Sequence, residues 1–175
     1  VLPDDFIPLA ENTGLITPIT WFVIDRALRQ LRMWQDAGHD LTMAVNLSVR
    51  HLTDAGLPDR IAVALERWGV APSRLIIEVT ESSVMTDPKR AATVLGQLRR
   101  IGVSVAIDDY GTGHASLTYL KRLDIDELKI DKSFIMHLDP GSSDAIIVAS
   151  TIELGHNLGL RIVAEGVEDG DTLQW

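Results

Sequence analysis

The chain has 175 residues, is 46% hydrophobic and 23% charged, and carries a formal net charge of −9. That length suffices for one domain with a real core, and the acidic balance excludes a basic face for duplex nucleic acid. It holds no cysteine, which removes disulfides and thiolate zinc sites.

Pro3 precedes a short helix expected over 4–10 that stops near Gly14. Thr17 is expected to cap a longer helix with Pro18 at its first position; Trp21, Ile24, Leu28, Leu31 and Trp34 recur at helical spacing and face the core, and Gly38 ends it. A strand over 41–48 ends in Asn46-Leu47-Ser48. A helix over 58–68 presents Ile61, Leu65 and Trp68 and stops at Gly69. Residues 75–80 form a second strand that runs on into Glu81. Asp87-Pro88 opens a helix carrying Ala91, Val94, Leu95 and Leu98, closed by Gly102.

The next run, 103–107, is short, small and β-branched, and ends abruptly in Asp108-Asp109 before the turn Gly111-Thr112-Gly113. It reads as a buried strand ending in acid. A short helix is expected over 116–122 and a fourth strand over 127–130, carrying Lys129 and leading into Asp131. Ser142 or Ser143 caps a long helix whose inner side is read as Ile146, Ile147, Ser150, Leu154 and Leu158. A fifth strand, 161–164, ends in Glu165-Gly166-Val167-Glu168. Strand then helix, repeated with connections too long for hairpins, means parallel strands joined by right-handed crossovers. No apolar run approaches the roughly 20 residues of a membrane span and no signal peptide opens the chain, so a cytoplasmic address without membrane contact is expected.

The last inward position of each strand is polar: Asn46, Glu78, Asp108, Lys129 and Glu165. At the C-terminal rim of a barrel such positions converge on one pocket. Carboxylates facing one another cannot all stay ionised without cations. An oxygen-only donor set suits Mg²⁺ or Mn²⁺ rather than zinc. Asp108 and Asp109, neighbours on an extended chain, are expected to diverge, so that one bridges two ions and the other holds only the second; two ions about 3.5–4 Å apart suit phosphodiester cleavage. Lys129 either pairs with the acids or positions an attacking water. Of the five histidines, His39, His51, His137 and His156 are read as solvated, while His114, in the loop after Gly113, is left open to a ligand or dimer partner.

Asn46-Leu47-Ser48, Glu78-Val79-Thr80-Glu81, Asp108-Asp109-Tyr110-Gly111-Thr112-Gly113, Leu128-Lys129-Ile130-Asp131 and Ala164-Glu165-Gly166-Val167-Glu168 resemble, in order and spacing, the successive signatures of the EAL domain. Pro3 to Glu11 and Gly14-Leu15-Ile16 are similar to its early helical region. The resemblance implies a modified (β/α)8 TIM-type barrel, of which five units are visible, that hydrolyses cyclic di-GMP to linear diguanylate with Mg²⁺ or Mn²⁺. It implies that Asn46, Glu78 and Asp108 bind the first metal and Asp108 and Asp109 the second. Lys129 contacts the nucleophilic water and Glu165 is the candidate general base. Glu81 tethers the loop holding Gly111 and Gly113, which the family ties to dimerisation, and Glu168 is a further acid of the same pocket. A homodimer fused to a GGDEF or sensory domain, in the cytoplasm or as the cytoplasmic part of a membrane-anchored protein, is the implied setting.

The Glu-Ala-Leu motif and the final Gln-Gly-Tyr strand are absent, so residues 1–175 are expected to be one EAL-type domain truncated at both ends, whose own activity is in question. The loop reads His114-Ala115-Ser116 where the family usually has Tyr-Ser-Ser, which bears on loop-coupled regulation. Ca²⁺, which prefers more and longer contacts, is expected to occupy the site and inhibit. The rival readings are a cyclic di-GMP receptor that binds without cleaving and a purely structural domain.

Overall fold

The β-branched runs pair side by side in chain order. The computed structural model describes residues 1–113, 120–136, 138–139 and 141–174. It contains α1 (Pro3–Thr13), α2 (Ile16–Asp36), β1 (Met43–Asn46), α3 (Leu57–Trp68), β2 (Leu75–Thr80), α4 (Glu81–Thr86), α5 (Pro88–Ile101), β3 (Ser104–Tyr110), β4 (Glu127–Ile130), α6 (Ser143–Asn157), β5 (Arg161–Ala164) and α7 (Gly170–Gln174). All adjacent strand pairs are parallel, in the order β1-β2-β3-β4-β5. An order that never reverses is the arc of a β/α barrel rather than a doubly wound sheet, whose strand order turns back at a switch point. The arc does not close among the described residues.

Side-chain alternation divides the sheet. Val45, Ile77, Val79, Val105, Ile107 and Leu128 point outward and are buried beneath the helices, joined by Ile24, Leu28 and Leu31 of α2, Ile61 and Leu65 of α3 and Leu95 and Leu98 of α5. Truncating any of these leucines or isoleucines to alanine would cost about 2–5 kcal/mol. Trp21 and Trp34 pack against this core, as their spacing implied. On the concave face one row runs Asn46, Glu78, Ala106, Glu127 and Arg161. Ala44 and Asn46 of the edge strand are exposed while Val45 between them is buried.

Local signals set most boundaries. Asp87 Oδ1 accepts the Arg90 N–H at 3.2 Å and Pro88 opens α5; Ser142 Oγ accepts the Ala145 N–H at 3.1 Å and opens α6. Four expectations are corrected. First, α2 starts at Ile16, behind Gly14 at φ 81°, so Thr17 lies inside the helix and caps nothing. Second, the chain after β2 does not continue extended: Thr80 Oγ1 accepts the Ser83 N–H at 3.3 Å and starts α4 at Glu81. Third, α6 turns Ala145, Val148, Thr151 and Gly155 inward, with Gly155 against Ile162 of β5, and leaves Ile146, Ile147 and Ser150 exposed. The helix is apolar on nearly every side, so periodicity alone does not choose its face. Fourth, His51 is 2% exposed, in a 3₁₀ turn (His51–Thr53) packed against α5. The helix expected over 116–122 falls largely outside the described residues, as do His114 and His137.

Candidate active site

The strands deliver the five expected rim residues to one place. Lys129 of β4 is the hub: its Nζ lies 3.0 Å from Asp108 Oδ1, 3.1 Å from Glu78 Oε1 and 2.6 Å from Glu165 Oε1. Asn46 Nδ2 donates to Glu78 Oε2 at 3.3 Å, which ties the edge strand to the same network. Side-chain exposure is 11% for Glu78, 12% for Lys129 and 14% for Asp108 but 31% for Glu165, so of the three acids on Lys129 it is Glu165 that is most open to an incoming molecule. Burial works against the Lys129 ammonium, yet the hydrogen bonds it donates to Glu165, Asp108 and Glu78 outweigh it and raise its pKa above the usual lysine value. Lys129 therefore stays charged across the physiological range.

The pairing of β3 with β4 explains how both aspartates join. Ile107 pairs with Leu128 and Tyr110 with Ile130, so two residues of β3, Asp108 and Asp109, stand opposite Lys129 alone. This is a bulge, and its extra residue takes a left-handed backbone: Asp109 has φ 55°. Aspartate tolerates that conformation better than most side chains. The expected divergence of the two carboxylates is thereby corrected. Asp108, Asp109 and Glu165 each offer a ligand oxygen, and these atoms lie within 4.8 Å of one another. The Asp109 N–H also bonds Asp108 Oδ1 at 3.1 Å. Burial, then the charges of Asp108, Asp131 and Glu165, raise the Asp109 pKa, with Lys129 partly opposing. Three acids this close, one of them reluctant to ionise, fit a hard divalent cation. Glu78 and Asn46 lie outside that group and reach it through Lys129. Glu168 is exposed and does not enter it.

Glu81, placed at the first turn of α4, is buried and accepts the Gly111 N–H at 2.9 Å. A side chain on either glycine of this loop would force a neighbour to move. A Cβ on Gly113 would stand 2.6 Å from Glu81 Oε1, and one on Gly111, at φ 102°, would stand 2.8 Å from Phe134 Cε2. Burial first, and Glu81 second, raise the pKa of Tyr110 at the root of this loop.

Two participants had no role assigned from the sequence, although Asp131 closes one of the quoted signatures. Asp131 contributes to the field on Asp109, while its own carboxylate accepts from the Ser133 N–H at 2.9 Å and from the Ser133 hydroxyl, which lowers its pKa. The Asp-x-Ser spacing of an Asx turn was the available signal. Phe134, beneath Gly111, had none.

The comparisons with known proteins fall on this geometry. The model of the EAL domain family matches residues 1–175, and the chain belongs to that family. MucR of Pseudomonas aeruginosa, a bifunctional diguanylate cyclase/cyclic di-GMP phosphodiesterase, is 52% identical over 169 residues, 96% of this chain and 25% of that protein. NbdA of the same organism, a cyclic di-GMP phosphodiesterase, is 44% identical over 172 residues, 98% of this chain and 22% of that one. The chain thus spans about a quarter of the length of these curated relatives. Among solved structures, the PaMucR phosphodiesterase in complex with c-di-GMP superposes with a TM-score of 0.94 at 48% identity, covering 99% of this chain and 76% of that one. The FimX EAL domain from P. aeruginosa bound to c-di-GMP gives 0.90 at 26% identity, covering 99% and 69%. No helix among the described residues is long and apolar enough to cross a membrane.

Proposed function

We propose that the protein carrying this chain hydrolyses cyclic di-GMP to linear diguanylate with Mg²⁺ or Mn²⁺ held at Asp108, Asp109 and Glu165, with Glu78 and Asn46 alongside. The observation that carries this is the trio of ligand oxygens within 4.8 Å at the C-terminal rim of adjacent parallel strands. The relatives named above as phosphodiesterases support it. A doubly anionic substrate would not approach such a cluster, on a chain of net charge −9, without cations to neutralise it. Bound there, divalent cations would screen the phosphate and acidify a water near it.

The residues divide the remaining work. Glu165, the most exposed acid of the hub, takes the proton of the attacking water. Lys129, its ammonium held by three carboxylates, would orient that water through an N–H that a bound cation frees from one of them. Water oxygen bonds to phosphorus as its proton passes to Glu165, one ester oxygen departs and takes a proton from solvent, and the ring opens. Asn46 steadies Glu78, and Glu81 holds the backbone after Asp109 in place through Gly111. The domain works in the cytoplasm as a homodimer within a longer signalling polypeptide that includes a GGDEF or sensory domain. The test is incubation of the full-length protein with cyclic di-GMP and Mg²⁺ or Mn²⁺. Linear diguanylate is the expected product; tight nucleotide binding without turnover favours the receptor reading instead.

A further inference from the structure

Lys129 already does what a metal ion would do here. Its ammonium has three N–H donors, and three carboxylates take them at 3.0, 3.1 and 2.6 Å. Two of those acceptors, Asp108 and Glu165, also belong to the trio able to hold a cation. The Lys129 side chain is only 12% exposed, so bulk water has little access to replace these partners while its backbone stays in β4. A divalent cation drawing on the same carboxylates meets both a competitor for its ligands and a positive charge at close range.

We propose that Lys129 is the exchangeable counter-ion of this site: it neutralises Glu78, Asp108 and Glu165 before a divalent cation arrives, and gives up part of that set when one binds. The inference rests on the metal-dependent reading above. Its consequence is a trade. Without Lys129, converging carboxylates would repel one another in the metal-free protein. With it, the empty site is stable but binds metal more weakly than the same acids alone would. Lys129 thus sets the divalent-ion concentration at which the site fills, separately from any part it takes in orienting water.

The experiment is Mn²⁺ calorimetry and thermal unfolding on the full-length protein with and without chelator, comparing wild type, Lys129→Met and Lys129→Arg. Methionine keeps the length of the stem and removes the charge. The expected result is that K129M binds Mn²⁺ about tenfold tighter or more, melts earlier than wild type without metal, and gains more on Mn²⁺ addition. K129R, which keeps the charge, shows no such tightening. Should K129M fold only with Mn²⁺ present, chelator titration of the loaded variant yields the same affinity comparison. Equal or weaker Mn²⁺ binding by K129M overturns the inference and makes Lys129 an organiser of the ligands rather than their competitor. Wild type that binds no Mn²⁺ overturns the metal-dependent reading along with it, so the two failures are distinguishable.

Discussion

Glu165 stands in two lists at once, as the acid on Lys129 most open to an incoming water and as one of three carboxylates close enough to share a cation. Substitution separates the roles. Glu165→Gln keeps an oxygen that can ligate but cannot take a proton, so turnover should fall by about 10²–10⁴ while Mn²⁺ affinity drops less than in Asp108→Asn. Asp108 binds Lys129, receives the Asp109 N–H and belongs to the ligand trio, so its neutralisation disturbs more of the site. Calorimetry with Mn²⁺ on both variants checks this. Equal loss of affinity would make Glu165 chiefly a ligand and move the base elsewhere. Rim residues such as these were legible in the sequence because a buried β-branched strand that ends in acid is a rare juxtaposition.

At the scale of elements, β4 and β5 have the bounds their β-branched runs imply, the Asp87 cap is where the sequence put it, and of the two serines offered for α6 it is Ser142 that caps. What was not legible depends on pairing rather than on local chemistry. The bulge at Asp108-Asp109 is a property of β3 against β4, and nothing in either strand alone announces it. The helix α4 is only six residues long and has no apolar stripe, so Glu81 reads as the tail of a strand. The connection after β1 looked like a solvated loop, yet packing against α5 buries His51 with neither ring nitrogen hydrogen-bonded among the described residues. Burial lowers its pKa against the opposing pull of Asp54, the Ser48 backbone and Glu11, with Arg60 assisting. The unfolded chain therefore binds the proton at higher pH than the folded one. The stability held by neutral His51 is complete above the unfolded-state value of about 6.5 and is lost as pH falls below it, at no more than about 1.4 kcal/mol per pH unit. Urea midpoints between pH 8 and 5 should fall more steeply in wild type than in His51→Gln. Parallel slopes would mean that His51 is protonated in the fold or reached by solvent.

For the whole molecule, the arc has an unpaired edge on β1 and another on β5 among the described strands, and the concave face at β1 is exposed. Open edges template association, and closing a barrel removes them. We therefore expect residues 1–175 expressed alone to aggregate or unfold in part and to be inactive; a monomeric, cooperative unfolding transition would contradict this.

The ion should matter as much as the architecture. Ca²⁺ prefers more ligands at longer distances than Mg²⁺ and acidifies water less. It is expected to support nucleotide binding while turnover stops, and equal turnover in Ca²⁺ and Mg²⁺ would contradict activation of water at this site.

The most direct test is product formation by the full-length protein in Mg²⁺ or Mn²⁺, with chelator-treated protein and the Glu165→Gln variant alongside. The expected result is conversion of cyclic di-GMP to linear diguanylate that stops in chelator and falls by at least about a hundredfold in the variant. Nucleotide binding by metal-loaded wild type with no linear product, or turnover that persists in chelator, would contradict it.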